Sequence, residues 1–191
     1  MNYLAHLVLA DETPQSLIGN LAGDFLQGID PEQIHPLLRP GIERHRIVDR
    51  YTDAHATVAQ SRARLDGHWR FFGRVLVDVF YDHFLAAGFE RFCGQPLSKF
   101  AATVYTALER GADLLPPRLA RAAPVMIQHD WLQAYAHIEG IEEILGRMAR
   151  RTRHGSNLAQ AVVDLRREYA ALSADFESFF PALRGHLLTG K

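Results

Sequence analysis

The stretch Leu158-Ala159-Gln160-Ala161-Val162-Val163-Asp164-Leu165-Arg166-Arg167-Glu168-Tyr169-Ala170-Ala171-Leu172-Ser173-Ala174-Asp175-Phe176-Glu177-Ser178-Phe179 carries Leu158, Ala161, Val162, Leu165, Tyr169, Leu172, Phe176 and Phe179 at steps of three and four. Residues so spaced share one side of an α-helix, and the run predicts a continuous core-facing stripe. The stripe is expected to break near Ser173 and to stop at Pro181, whose ring removes a helical hydrogen bond. Toward the N-terminus the same spacing recurs, while no alternating β-branched run is bounded by hairpin turns. The predicted fold class is all-α: a single compact helical bundle covering residues 1–191 as one domain.

Punctuation divides the rest of the chain. Thr13-Pro14 reads as an N-cap followed by the first helical residue, and the segment from Gly28 to Pro40, with Pro31 and Pro36, reads as a connection. Helices are expected from about Gly41 to His55 and on to Leu65, then from His68 to Phe92 as one long helix ended by Gly94-Gln95-Pro96. Others follow over Pro96–Arg110, Pro116–His129, Trp131–Ile138 and Ile141–Ala149.

Composition excludes several classes. A formal net charge of -1, with 48% hydrophobic and 23% charged residues, points to neither nucleic acid nor membrane. Lys99 and Lys191 are the only lysines, so the positive charge is nearly all arginine, which suits bidentate contacts to phosphate or carboxylate. A bias in codon usage would produce the same skew. The one cysteine, Cys93, rules out an internal disulfide framework and a cysteine zinc cage. Met1 to Ala10 lacks a basic region before a long apolar run, and no stretch approaches the ~18 apolar residues of a membrane span. The expected location is the cytoplasm.

Polar residues break the apolar pattern at four places in the N-terminal half. In Val75-Leu76-Val77-Asp78-Val79-Phe80-Tyr81-Asp82-His83-Phe84-Leu85, two aspartates and a histidine interrupt a helix that is apolar on most sides. Asp78 and Asp82 share a face, and buried carboxylates there need a cation or a partner. Either they belong to a metal or catalytic site, or one pairs with an arginine and the other is solvated. His45, Asp49 and Asp53 recur every four residues, as a charged surface face or as metal ligands and their partners. Asp24 follows Gly19 and Gly23, whose spacing lets another backbone approach closely. His6 lies among apolar residues, either as a satisfied core histidine or as a ligand. Mixed imidazole and carboxylate donors suit manganese, iron or zinc.

The segments Asn2-Tyr3-Leu4-Ala5-His6-Leu7, Gly19-Asn20 with Asp24-Phe25, His45-Arg46 with Asp49 and Thr52-Asp53, and Asp82-His83-Phe84-Leu85 resemble the acyl carrier protein phosphodiesterase family. The resemblance runs essentially end to end, through Trp131-Leu132 and Gly146-Arg147-Met148 to Arg151. It implies an all-helical fold, distantly related to the HD-domain phosphohydrolases. It also implies hydrolytic release of the 4'-phosphopantetheine arm from holo acyl carrier protein with a divalent cation, typically Mn2+, with Mg2+, Fe2+ and Zn2+ as alternatives. By the same resemblance Asp24, His45, Asp82 and His83 are the first metal-site candidates, with His6 and Asp49 second to them. The HD order departs here: Asp82-His83 is reversed, and the one literal His-Asp pair, His129-Asp130, reads as a helix boundary with Asp130 as N-cap.

In the mechanism this implies, Asp24 or Asp49 orients or deprotonates a water and Arg46 stabilises phosphate charge. An acidic carrier protein needs a basic docking surface, for which Arg147, Arg150, Arg151 and Arg153 are the densest cluster. The same arginines would equally suit a solvated helix end. Two other functions fit the residues: a phosphohydrolase acting on a nucleotide or other small phosphodiester, and a non-enzymatic helical binding module whose buried acids form structural ion pairs.

Overall fold

The computed structural model describes residues 1–65, 67–69, 71–150 and 157–189. Among these residues there are twelve α-helices and no strand. They are α1 (Tyr3–Val8), α2 (Pro14–Ala22), α3 (Arg39–Ala54), α4 (Ala56–Arg64), α5 (Gly73–Ala87), α6 (Phe89–Cys93), α7 (Leu97–Arg110), α8 (Pro117–Gln128), α9 (Trp131–Ala134), α10 (Ile138–Ala149), α11 (Val162–Arg167) and α12 (Tyr169–Thr189). None is long and apolar enough to cross a membrane.

Helix α5 runs through the middle, with α1, α4, α10 and α12 packed against it. Its near-continuous apolar sequence explains the position: every residue from Val79 to Ala86 is buried, including Asp82 and His83. From α12, Phe176 and Phe179 meet Tyr81, and Phe176 also meets Phe84. Thr13 caps α2 as expected, its Oγ1 accepting from Ser16 N at 3.2 Å, with Pro14 at the first helical position.

The two aspartates of α5 find cationic and amide partners at the start of α1. Helix α1 has no cap from its own Asn2 side chain. Asp82 supplies one from a distance, accepting from the backbone N–H groups of Leu4 at 2.7 Å and of Asn2 and Ala5 at 3.3 Å. One turn earlier, Asp78 Oδ1 lies 2.8 Å from the Met1 amino group. The shared face read from their spacing is therefore the face that receives α1.

Helices α2 and α3 cross so closely that neither tolerates a side chain at the crossing. A Cβ on Gly19 would stand 2.5 Å from Leu38 O and 3.0 Å from Gly41 Cα, and one on Gly41 2.7 Å from Ser16 O. Spaced glycines allow this approach, which brings α3 under the C-terminal end of α2.

Several boundaries differ from the expectation. The C-terminal stripe breaks at Glu168, between α11 and α12, and not near Ser173. Helix α12 continues past Pro181 to Thr189 because buried Leu183 holds the last turns on the core. The single helix expected from His68 to Phe92 is a 3-10 turn (Gly67–Trp69), then α5 and α6, which part at Gly88. Asp130 precedes α9 but does not cap it. With φ at 43°, its carboxylate accepts from the Tyr105 hydroxyl at 2.8 Å, whose oxygen accepts from Leu132 N at 3.0 Å.

We expect Gly19→Ala to lower stability by about 2 kcal/mol or more, since the new methyl meets backbone on the opposing helix. Gly185→Ala, in open space within α12, is expected to raise stability by about 0.5–1 kcal/mol. Urea unfolding of the two variants checks the sign of each.

Candidate metal centre

Three elements bring their acids and imidazoles to one end of the α2–α3 crossing. Helix α1 presents His6, the 3-10 turn Gly23–Phe25 presents Asp24, and α3 presents His45 and Asp49 one turn apart. A ligand atom from each of His6, His45 and Asp49 lies within 4.8 Å of the others.

His45 is fixed first. Its Nδ1 lies 2.8 Å from Asn20 O, a carbonyl that can only accept, so Nδ1 carries the hydrogen. Nε2 then faces two carboxylates, Asp49 Oδ2 at 3.2 Å and Asp24 Oδ1 at 3.9 Å. The ring occupies the space a side chain at Gly23 would need, for a Cβ there would stand 2.4 Å from it. His6 stacks on His45 with ring centroids 3.8 Å apart and planes 18° from parallel. Its Nε2 is 3.3 Å from Asp49 Oδ1, so the two oxygens of Asp49 divide between two imidazoles. Both ring nitrogens of His6 are buried, and neither makes an aligned hydrogen bond. A buried imidazole without an aligned hydrogen bond is what a bound cation would complete, and the donor set of imidazole and carboxylate fits a divalent transition ion.

Environment sets the charges. Burial pushes the His6 pKa down to about 4, leaving a neutral ring. Burial also opposes charge on His45, but Asp49 and Asp24 outweigh it and raise the pKa of that ring. Burial would raise Asp49, yet the imidazoles of His45 and His6 beside its two oxygens hold it well below the ordinary carboxylate range. Asp24 is pushed up to about 6 by burial first, with Asp49 adding to the push and His45 opposing it. Its side chain is still 34% exposed at the rim, and solvent there moderates the shift.

The other candidates from the sequence lie elsewhere. Asp82 is buried at the start of α1, its carboxylate taken up by three amides. His83 is on another side of α5, with Nδ1 2.8 Å from Tyr135 O and Nε2 3.0 Å from the Tyr169 hydroxyl. Arg46 is exposed and pairs with Glu43 at 3.4 Å, one helical step away from the His45–Asp49 face. Arg147 stacks on Trp131 at 5.0 Å and pairs with Glu143 at 3.6 Å, and Arg150 is exposed at the end of α10. Arg151 and Arg153 lie outside the described residues.

Asp24 also forms one wall of a cleft of about 400 Å³ whose other walls include Tyr3, Phe25 and Trp131 and the α8 residues Arg118, Arg121 and Val125. The sequence reading passed over Arg118 and Arg121. Their spacing of three on an amphipathic helix was the available signal, although it does not indicate which way the helix turns.

A family profile described as "Acyl carrier protein phosphodiesterase" matches residues 1–183. The chain is 33% identical over 186 residues to the acyl carrier protein phosphodiesterase of Serratia proteamaculans, covering 96% of this chain and 95% of that one. It is 32% identical over 184 residues to the protein of that name from Photorhabdus laumondii, covering 95% and 92%. The Escherichia coli O157:H7 protein of that name is 33% identical over 187 residues, covering 96% and 95%. No solved structure matches the chain.

The depressed His6 pKa predicts a pH signature. An unfolded histidine protonates near 6.5 while folded His6 resists until about 4, so between these values the unfolded chain binds more protons. The contribution of His6 is therefore full above pH 6.5 and declines as pH falls from there. In chelator-treated protein, the urea midpoint of wild type should fall more steeply below pH 6.5 than that of His6→Gln. Parallel curves would refute the assignment.

Proposed function

The chain belongs to the acyl carrier protein phosphodiesterase family, and on that footing we propose that it hydrolyses the phosphodiester joining 4'-phosphopantetheine to the serine of holo acyl carrier protein, with a divalent cation held by His6, His45, Asp49 and Asp24. The observation that carries the metal reading is the buried His6 ring, without an aligned hydrogen bond, stacked on His45 beside a shared carboxylate. A cation such as Mn2+ supplies Lewis acidity and a water of lowered pKa.

The residues supply the rest. Asn20 O holds His45 in the tautomer that leaves Nε2 as the inward donor. Asp49 stays ionised between two imidazoles and fixes both rings. Asp24 stands at the rim between the cluster and the cleft. Its pKa near 6 suits a group that takes a proton from the attacking water at neutral pH. As the water oxygen bonds to phosphorus, the bond from phosphorus to the serine oxygen breaks. That oxygen takes up a proton, and the products are apo carrier and 4'-phosphopantetheine. Asp82 acts through position, holding the start of α1 and so His6. We assign Arg147 and Arg150, at the end of α10, to docking of the acidic carrier in the cytoplasm, where carrier protein serves fatty acid biosynthesis.

Purified protein incubated with holo carrier and Mn2+ is expected to lower the carrier mass by the phosphopantetheine arm. Chelation should abolish this, and Asp24→Asn should slow it by about 10²–10⁴. His45→Ala should lose cation binding in calorimetry, whereas His83→Gln should keep it. A wild-type protein that binds the cation and leaves the carrier mass unchanged would refute the substrate.

A further inference from the structure

We infer that the cleft beside Asp24 is the channel for the substrate's arm, with Arg118 and Arg121 holding its phosphate end and the Tyr3–Trp131 wall holding the chain beyond it. This rests on the phosphodiesterase reading above, and it adds specificity-determining residues that the family profile does not name.

Position comes first. Asp24 lies 3.9 Å from His45 on its inner side and lines the cleft on its outer side, so the cleft opens from the proposed centre. Charge comes second. Arg44, Arg46, Arg50 and Arg74 each pair with an acid. Among the described residues no carboxylate pairs with Arg118 or Arg121, and Arg118 meets only the Gln27 side-chain oxygen, at 3.2 Å. Three residues apart on α8, the two guanidinium groups share one face. Two uncompensated guanidinium groups beside a hydrolytic centre fit an anion, and fit a phosphomonoester dianion better than a diester monoanion.

Shape comes third. Tyr3 stacks on Phe25 with centroids 5.6 Å apart and on Trp131 at 6.4 Å, giving one continuous aromatic group along the cleft. Val125, 42% exposed, lines the same cleft. A cleft of about 400 Å³ suits a linear organic chain, whereas a folded carrier could reach only its mouth. A chain of methylenes, amides and a geminal dimethyl group, carrying phosphate at one end, matches this sequence of surfaces.

The test uses direct binding as well as turnover. Full-length protein is titrated with 4'-phosphopantetheine, with pantetheine lacking the phosphate, and with inorganic phosphate, following the fluorescence of Trp131. Trp131→Phe serves to assign the signal, since Trp69 lies elsewhere in the core. Phosphopantetheine is expected to bind at least tenfold more tightly than either fragment. Arg118→Gln with Arg121→Gln should remove about tenfold or more of that affinity. Val125→Trp, which fills the cleft from an exposed position, should weaken binding while leaving Mn2+ affinity unchanged.

Unchanged phosphopantetheine affinity in the double arginine variant overturns the proposal. So does a double variant that slows carrier turnover but binds phosphopantetheine normally, because its arginines would then face the carrier. A wild-type protein that never releases the arm from the carrier would refute the function proposed above, while the titration would still decide the cleft.

Discussion

The close crossing of α2 and α3 is the constraint on which the proposed centre depends. With a side chain at either Gly19 or Gly41, the helices would have to separate. Asn20 O would then leave Nδ1 of His45, and the hydrogen bond that selects its tautomer would be lost. Gly23 extends the same logic by one turn, because the His45 ring fills the volume of its missing Cβ. The chemistry of the imidazole is thus set by what three glycines lack, a contribution invisible to any search for polar side chains.

A second constraint acts separately from the first. Helix α1 is short, lacks a cap of its own and carries His6 into the core. Asp82 satisfies three of its first amides, and Asp78 meets the Met1 amino group. An anion at a helix N-terminus is favourable, and a buried amide without an acceptor costs about 1–3 kcal/mol. Removing Asp82 would therefore disturb the centre without its carboxylate ever touching a cation. His6 accepts the burial of an imidazole only in its neutral form, the form that donates a lone pair.

The all-α class was legible because helical spacing repeats along the whole chain, and the Thr13-Pro14 cap because its chemistry is local. His6, Asp24, His45 and Asp49 stood out as polar residues at positions where burial would be costly, and the structure brings these four together. Asp82 and His83 gave the same signal for a different cause. A buried acid looks alike in sequence whether it faces an ion or three amides, and only the partner across space separates the two. The passage of α12 through Pro181 escaped for a related reason: tertiary burial of Leu183 overrides a local stop signal. Arg118 and Arg121 passed unnoticed because arginine on an amphipathic helix is common, and only the fold brings theirs to a cleft shared with Asp24 and Phe25.

The cap that Asp82 gives to α1 also orders events in time. The amides of Asn2, Leu4 and Ala5 leave the ribosome well before their acceptor, which lies 77–80 residues further along the chain. Until that segment emerges, the first helix has no native terminus, and Leu4, Leu7 and Leu9 have no core to enter. Closure of so long a loop places the N-terminal segment among the late steps of folding, with its apolar face in need of cover during synthesis. A segment made well before its cap is thus among the last to settle, and His6 arrives with it.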